Sequence, residues 1–297
     1  MIKNLKNLPA NRTYFSVADS GVASEKEETL FGQFNGSCHH RDEKKRSVFP
    51  PRRVHHITAL MMVLSLLATG CTYLATKPLE TETYRSVPES ERRNLIVFMR
   101  ALYGNHKTFE KEGFVAMVYD KGLRYDMVAP DAHLAYYYGR TLDKRLREDV
   151  IKPARAAGYT NIWLVGVSLG GLGSLLYLLN YPEDSGIAGV VLMAPYLGDR
   201  EILHEIVQAG GVRKWQPGDD DDNDWQRLLW RWLKSYDRQQ DHLPPVYLGY
   251  GDDDPFAQGQ GLLATLLPRD HVVVIEGTHS VDTVKEIWSI MLDTVPF

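Results

Sequence analysis

The chain has 297 residues, of which 44% are hydrophobic and 24% are charged, and its formal net charge is −4. This composition is typical of a globular domain, and the charge gives no electrostatic reason to expect a nucleic-acid partner. The sequence has no phosphate-binding loop, no dinucleotide-binding glycine signature and no metal-type cluster of cysteine and histidine, so we expect neither a cofactor nor a metal. Its two cysteines, Cys38 and Cys71, do not make a disulfide framework.

The first 51 residues differ in character from the rest of the chain. They are polar, lack a sustained hydrophobic period and include the mixed-charge run Arg41 to Arg46. Such a segment buries too little apolar surface to fold. We therefore expect residues 1–51 to be disordered, or not to be translated at all.

Residues 52–70 have the three parts of a secretory signal peptide. Arg52 and Arg53 precede an apolar run from Ile57 to Leu67, and small residues follow up to Cys71. As a helix this run would rise only about 20 Å, less than the hydrocarbon core of about 30 Å, which argues against a permanent membrane span. An ordinary signal peptide without lipid, or a short buried helix, is the alternative.

Ala68-Thr69-Gly70-Cys71 resembles a bacterial lipobox. The resemblance implies that Cys71 is the lipidated first residue of an exported protein that is anchored to the membrane of the cell envelope. Because a signal peptide acts from near the amino end, we expect translation to start at Val48 or Val54. Residues 71–93 would then hold a tether, from Thr72 to about Arg92, and a weak leading strand at Glu80–Val87.

From Asn94 the sequence alternates between apolar strand-like runs and helical stretches. Strands are predicted at Asn94–Met99, Phe114–Tyr119, Ile162–Val165, Gly189–Met193, Val246–Tyr250 and His271–Ile275. Helices are predicted at Leu142–Ala157, which Gly158 ends, and at Leu172–Tyr181. This alternation indicates an α/β fold with a mostly parallel sheet and helices on both of its faces.

Ser168 lies at the corner between a predicted strand and a predicted helix, in Gly166-Val167-Ser168-Leu169-Gly170. A turn this tight needs glycine on either side of the serine, and it lifts the hydroxyl clear of the sheet. The amide of Leu169, at the start of the helix, then faces the place where an oxyanion would form. An ordinary helix N-cap serine is the alternative.

Two later strands also end in polar side chains. Val246–Tyr250 is followed by Gly251 and the run Asp252 to Asp254, and His271–Ile275 is followed by His279. Open parallel sheets build their sites at the carboxyl ends of the strands, so these groups are expected to approach Ser168.

In this order of serine, acid and histidine, residues 94–297 resemble the α/β-hydrolase superfamily. The resemblance implies that Ser168 is the nucleophile, that His279 is the general base and then the general acid, and that Asp254 orients the imidazole. Asp254 is preferred because it fits the family pattern Gly-x-x-Asp, while Asp252 and Asp253 remain substitutes.

The resemblance also implies a second oxyanion donor in the loop after Asn94–Met99. Related enzymes have a His-Gly-x sequence there, and this chain has Arg100-Ala101-Leu102. The amide of Leu102 is the candidate donor. Arg100 either contacts a negative charge on the substrate or makes a structural ion pair.

Residues 198–244 interrupt the alternation with a helical insert, where the family often carries a cap. Trp225–Leu233 predicts an amphipathic helix whose apolar side covers another surface. Trp225, Trp230 or Trp232 could cover an apolar acyl pocket, or the helix could simply pack on the domain. The acidic run before this helix predicts a solvated loop that caps it rather than a calcium site.

The expected activity is therefore that of a serine hydrolase that cleaves a small-molecule carboxylic ester through an acyl-enzyme. A thioesterase or a peptidase would use the same residues. A catalytically silent surface lipoprotein of the same fold, which binds a ligand or partner, is the alternative from a different class.

Overall fold

The computed structural model describes residues 76–182, 186–218, 224–238 and 243–297. The predictions for residues 1–51, for the signal peptide at 52–70 and for lipidation of Cys71 lie outside the described residues. The acidic run at 219–222 lies outside them too.

Seven strands form one sheet in the order β1-β3-β2-β4-β5-β6-β7. Their bounds are β1 Thr81–Tyr84, β2 Asn94–Met99, β3 Asp126–Pro130, β4 Asn161–Val167, β5 Ile187–Met193, β6 Val246–Gly251 and β7 Val272–Ile275. β1 pairs antiparallel with β3, and every other pair in the sheet is parallel. The prediction of an α/β-hydrolase fold with a mostly parallel sheet is confirmed.

Ten α-helices lie in the described part of the chain. They are α1 Thr108–Lys111, α2 Phe114–Asp120, α3 Leu134–Tyr138, α4 Leu142–Leu146, α5 Lys152–Ala156, α6 Leu169–Asn180, α7 Arg200–Gln208, α8 Trp225–Leu233, α9 Ala257–Ala264 and α10 Val281–Thr294. Short 3₁₀ turns add Glu89–Glu91, Lys234–Arg238 and Arg269–His271. None of the described helices combines the length and the apolar character that crossing a bilayer requires.

Helices cover both faces of the sheet, because the strand side chains alternate between two hydrophobic cores. In β2, Val97 and Met99 belong to one core, and Ile96 and Phe98 belong to the other. The first core includes side chains of α3 to α9, and the second includes those of α1, α2 and α10. The insert helices α7 and α8 therefore pack on the same face as α6.

The predicted strand at Phe114–Tyr119 is wrong, because these residues form helix α2. Phe114, Val115 and Val118 are its buried residues, at the spacing of one helical face. A short apolar run is consistent with either a buried strand or a buried helix, and here the helical reading was the correct one. The sequence prediction missed strand β3, which begins at Asp126.

The predicted helix Leu142–Ala157 is helical over almost its whole length. A π-helical turn at Arg147–Ile151 joins α4 to α5. Gly158 follows with a φ of 97°. That left-handed conformation favours glycine and ends the helix as the sequence predicted.

From Leu79 onward, the segment expected to hold a tether and a leading strand contacts the domain, and β1 lies within the expected strand Glu80–Val87. The backbone amide of Leu79 donates to Asp149 at 2.9 Å. The amides of Ser86 and Val87 donate to the carboxylate of Asp126 at 2.6 Å and 3.3 Å. These bonds, with β1 between them, fasten the segment to the domain. Because β1 is antiparallel, its first residue pairs with the last residue of β3, at the carboxyl edge of the sheet.

Candidate active site

Ser168 occupies a sharp turn between β4 and α6, with φ 53° and ψ −115°. Few non-glycine residues adopt this conformation, and it costs energy that the surrounding structure must supply. Glycine is required on both sides: a Cβ on Gly166 would lie 2.5 Å from the carbonyl oxygen of Gly170, and a Cβ on Gly170 would lie 2.0 Å from that of Met99. The carbonyl of Ser168 accepts hydrogen bonds from the amides of Gly171 and Tyr196, at 3.0 Å and 3.1 Å, which hold the turn.

Asp254 follows β6 and has a fully buried side chain. One of its carboxylate oxygens accepts a hydrogen bond from the amide of Phe256 at 2.8 Å. Asp252 and Asp253 are exposed. Asp252 accepts a hydrogen bond from the amide of Gly277 at 3.1 Å, so it joins the loop after β6 to the loop after β7.

His279 lies between the serine and the buried carboxylate. Its Nδ1 is 2.7 Å from Oδ2 of Asp254, and its Nε2 is 3.0 Å from Oγ of Ser168. A carboxylate only accepts, so Nδ1 donates to Asp254 and leaves Nε2 to accept from the Ser168 hydroxyl. The structure thus brings together Ser168, Asp254 and His279, and it keeps Asp252 and Asp253 apart from the imidazole.

Gly251 allows the loop that carries Asp254 to pack closely against the loop that carries His279. A Cβ there would lie 2.2 Å from the carbonyl oxygen of Gly277, so only glycine lets the loops after β6 and β7 pack so closely. The amide of Asp253 donates to that same carbonyl at 2.9 Å. The acid and the histidine are therefore set by backbone contacts between the two loops.

The two candidate oxyanion donors, the amides of Leu102 and Leu169, donate no hydrogen bond to any group in the described part of the chain. Leu169 is the first residue of α6, a helix of 12 residues. Amides at a helix N-terminus favour a negative charge. Leu102 lies in the loop after β2, and its side chain packs against the first core.

Arg100 is 6% exposed, and its guanidinium points into the protein. It donates to the carbonyl of Leu102 at 3.0 Å and to that of Gly104, and it lies 3.3 Å from the carboxylate of Asp131. These contacts agree with the structural ion pair predicted for Arg100. They do not agree with the alternative role, in which Arg100 contacts a negative charge on the substrate.

A row of aromatic rings leads away from His279. The ring of Phe256 meets that of His279 edge to face at 5.0 Å, Tyr196 meets Phe256 in the same way at 5.3 Å, and Trp225 lies 6.4 Å from Tyr196. Burial, followed by the hydrogen bond to Asp199, raises the pKa of Tyr196, which stays a phenol and donates to that carboxylate. The row forms an apolar border beside the imidazole.

The tryptophans of α8 differ in their contacts. Trp230 is completely buried, and its indole N–H donates to the carbonyl of Leu197 at 2.8 Å. Trp232 meets the ring of Tyr236 at 5.4 Å, whereas Trp225 meets Tyr196. Trp225 is thus the tryptophan of this helix that connects with the row of rings beside His279.

The acidic residue before α8 has a structural role. Asp224 accepts hydrogen bonds from the amides of Gln226 and Arg227, both at 3.1 Å, and so caps the helix as predicted. Across the described residues, no group of three or more histidine, cysteine or acidic side chains is arranged to hold a metal ion.

Sequence reasoning missed Tyr137, Tyr196 and Phe256. The hydroxyl of Tyr137 donates to the carbonyl of Leu169 at 2.9 Å. The available signal was Gly173, since a glycine inside a helix often marks a close approach. A Cβ there would lie 2.5 Å from the Tyr137 hydroxyl. Tyr196 and Phe256 had no local signal beyond their position after strands.

The structure is similar to several solved hydrolases. One is the S-formylglutathione hydrolase of Staphylococcus aureus, with a TM-score of 0.49 and 11% identity, covering 72% of this chain and 94% of that one. A carboxylesterase structure from Nitrososphaera gargenis has a TM-score of 0.45 and 12% identity, with 72% and 93% covered. The monoacylglycerol lipase of Paleococcus ferrophilus has a TM-score of 0.46 and 17% identity, with 73% and 100% covered.

No protein-family model matches the sequence, and no curated protein matches it either. The fold is therefore assigned from the strand order and direction of the sheet itself.

Proposed function

We propose that the protein is a serine hydrolase that cleaves carboxylic esters through an acyl-enzyme intermediate. The observation that supports this most is the pair of hydrogen bonds that links Asp254, His279 and Ser168, at 2.7 Å and 3.0 Å. Both lengths are those of well-formed hydrogen bonds. The strained backbone at Ser168 supports the same role, because strain of this kind is typical of a nucleophile at a strand-to-helix turn.

In the first half of the reaction, Oγ of Ser168 attacks the ester carbonyl carbon while its proton passes to Nε2 of His279. The Asp254 carboxylate stabilises the imidazolium and keeps the proton of Nδ1 toward itself. The carbonyl oxygen becomes an oxyanion, which the amides of Leu169 and Leu102 would bind. The intermediate then collapses: the bond to the alcohol breaks, and His279 gives its proton to the leaving alcohol.

In the second half, water attacks the acyl-serine. His279 takes a proton from the water, the same amides bind the second oxyanion, and His279 returns the proton to Oγ as the acid departs. Ser168 and His279 carry every proton transfer, Asp254 stabilises the imidazolium, and the two amides bind the oxyanion in both halves. The row of Phe256, Tyr196 and Trp225 favours an apolar acyl chain on the substrate.

The kinetic test compares Ser168→Ala, His279→Ala and the double variant on a p-nitrophenyl ester. Each single variant is expected to lower kcat by about 10³-fold or more, and the double variant is expected to be little worse, because the two residues act as a unit. His204→Ala, at an exposed histidine of α7, is the control and should keep full activity. Additive losses, or full activity in either single variant, would contradict the assignment.

We further propose that lipid on Cys71 anchors the protein to a membrane. The segment that follows is fastened at the active-site edge of the sheet, since β1 begins opposite the last residue of β3. Few residues separate Cys71 from this point, so the anchor would hold that edge near the membrane surface. Intact mass and amino-terminal sequencing of protein from native membranes test this, with Cys71→Ser alongside. A Cys71→Ser protein that is processed normally and stays membrane-bound would contradict the anchor and leave the hydrolase proposal untouched.

A further inference from the structure

We propose that Arg100 and Tyr137 are positioning residues for the oxyanion site: each holds the carbonyl of the residue whose amide binds the oxyanion, and so restricts rotation about the φ and ψ bonds that link this carbonyl to that amide. Arg100 holds Leu102, and Tyr137 holds Leu169. The inference rests on the proposed hydrolase function, because it assigns a purpose to contacts around that site.

The contacts of Arg100 are those of an internal clamp. Its side chain is 7% exposed, so little water solvates the charge. One nitrogen of the guanidinium donates both to Leu102 and to Gly104, and thereby joins two carbonyls of the same loop. Gly104 has a φ of 96°, which turns the loop back toward the arginine. Burying a guanidinium is costly, and the carbonyl contacts are its compensation.

Asp131 fixes the other side of the guanidinium. It lies in the loop after β3, with Oδ1 3.3 Å from a nitrogen of Arg100 and Oδ2 3.8 Å from the ring of His106. The amide of Asp131 donates to the carbonyl of Glu80 at 2.7 Å, so its backbone is held as well. The charge of Arg100 is thus held between the oxyanion loop and the neighbouring strand end.

Tyr137 acts on the other donor. Its hydroxyl donates to the carbonyl of Leu169 at 2.9 Å, and the missing side chain of Gly173 makes room for that hydroxyl. Burial raises the pKa of Tyr137, an effect that the nearby charge of Arg100 partly offsets. The phenol therefore remains a donor at any pH at which the protein would work.

The two supports belong to one packed unit. The helix that carries Leu169 presses on the end of β2, since a Cβ on Gly170 would lie 2.6 Å from the carbonyl oxygen of Arg100. A shift in either loop would change the spacing of the two amides. Misplacing a catalytic group by about 1 Å can cost about 10²-fold in rate. Losing one oxyanion donor costs about 10²- to 10³-fold in kcat.

The first experiment measures ester hydrolysis by Arg100→Lys and Tyr137→Phe. Lysine keeps the charge but has a single nitrogen, so it loses the planar fork in which one nitrogen donates to the two carbonyls and another faces Asp131. We expect kcat to fall about 10²-fold in Arg100→Lys and about 10-fold in Tyr137→Phe, with KM unchanged. The affinity for an aryl boronic acid, which forms a tetrahedral adduct on the serine, should fall by the same factors.

Arg145 and Tyr136 supply matched controls for Arg100 and Tyr137. Arg145→Lys changes an arginine that pairs with Asp149 along one helix. Tyr136→Phe removes a hydroxyl that donates to the carbonyl of Lys77. Both lie outside the oxyanion loops, and both should leave kcat and boronic acid affinity unchanged.

The second experiment measures the mobility of the oxyanion loop, residues 100–104, and does not depend on catalysis. Amide hydrogen exchange in residues 100–104 should be faster in Arg100→Ala than in the parent protein, and unchanged in Arg145→Ala. Added guanidinium ion should slow the exchange in Arg100→Ala and restore part of its esterase activity. The same addition should restore no activity to Ser168→Ala.

The two experiments separate the clamp from the proposed function. Unchanged kcat in Arg100→Lys, a loss confined to KM, or unchanged exchange in Arg100→Ala would overturn the clamp. A parent protein that hydrolyses no ester and binds no boronic acid would instead contradict the hydrolase proposal.

Discussion

Three consecutive aspartates follow β6, and their environments separate their roles. Asp254 is buried against His279, Asp252 is exposed and holds the amide of Gly277, and Asp253 is exposed. Only the buried carboxylate can fix the tautomer of the imidazole, because a carboxylate in water gains little from one more hydrogen bond.

We therefore expect Asp254→Asn to preserve the fold but to lower kcat by about 10³-fold or more, since the amide would favour the wrong tautomer of His279. Asp253→Asn should be nearly silent, and Asp252→Asn should cost little, because an amide oxygen can still accept from Gly277. Steady-state kinetics on one ester and a thermal melt of each variant check this. If Asp252→Asn were the most damaging change, the acid would be wrongly assigned.

The sequence could predict the sharp turn at Ser168 and the position of His279 after a late strand, because the glycines of the turn and the order of the apolar runs can be read from the chain. It could not show the direction of the Arg100 guanidinium. That direction depends on carbonyls of its own loop and on Asp131, which follows a strand that the sequence did not reveal. Tyr137 was missed for a similar reason, since its partner is a backbone carbonyl in another element.

Helix α8 bears on the expected preference for the acyl chain of the substrate. Its buried residues are Leu229, Trp230 and Leu233, which attach the helix to the first core. Trp225, at its first turn, is only partly buried and meets Tyr196. The helix thus packs on the domain and also reaches the aromatic row.

We expect Trp225→Ala to raise KM more for longer acyl chains than for acetate, because each methylene that loses its contact costs about 0.8 kcal/mol. Trp232→Ala is the matched control: it meets Tyr236, so its effect should not depend on chain length. The check is KM for a series of p-nitrophenyl esters. An equal effect of Trp225→Ala on every ester would show that the helix only packs.

Elements with strong periodicity were predicted well, and short buried ones were not. α8 and the strands around Ser168 follow from their apolar patterns. α2 was mistaken for a strand because six apolar or aromatic residues stand between Gly113 and Asp120, a run too short to show a helical period. Whether this run forms a helix or a strand depends on its tertiary contacts in the second core, which includes Phe98 and Trp288. A local sequence pattern does not show those contacts.

Asp126 joins residues 85–92, which precede β2, to the sheet. Its buried carboxylate contacts Arg85 at 3.3 Å and Arg92 at 3.5 Å, as well as the hydroxyl of Tyr159. Burial raises its pKa, but hydrogen bonds from Tyr159, from the amides of Ser86 and Val87, and from Arg85 outweigh that effect, so the pKa of Asp126 is lowered. The folded state therefore favours the ionised form.

A lowered pKa in the folded state gives stability that is present above the ordinary value near 3.8 and is lost as the pH falls through the lower folded value. We expect Asp126→Asn to lower the free energy of unfolding by about 3 kcal/mol at neutral pH, because two arginines lose their partner. The difference should shrink below about pH 4. Urea unfolding across a pH series measures it.

Glu148→Gln is the control for this effect. Its hydrogen bond with Lys152 lowers the pKa of Glu148 in the same direction, but the pair is exposed to solvent. Solvent screens such pairs, so the variant should differ little from the parent at any pH. A difference for Asp126→Asn that does not change with pH would contradict the assigned role of its charge.

The most direct test of the account is covalent labelling of the whole protein with a fluorophosphonate probe, mapped by peptide mass spectrometry. An activated serine reacts with this probe, whereas an ordinary serine does not. We expect a single adduct on Ser168, lost in Ser168→Ala and slowed by about 10²-fold or more in His279→Ala. No adduct on Ser168, or labelling at the parent rate in His279→Ala, would contradict the proposal that this protein is a serine hydrolase.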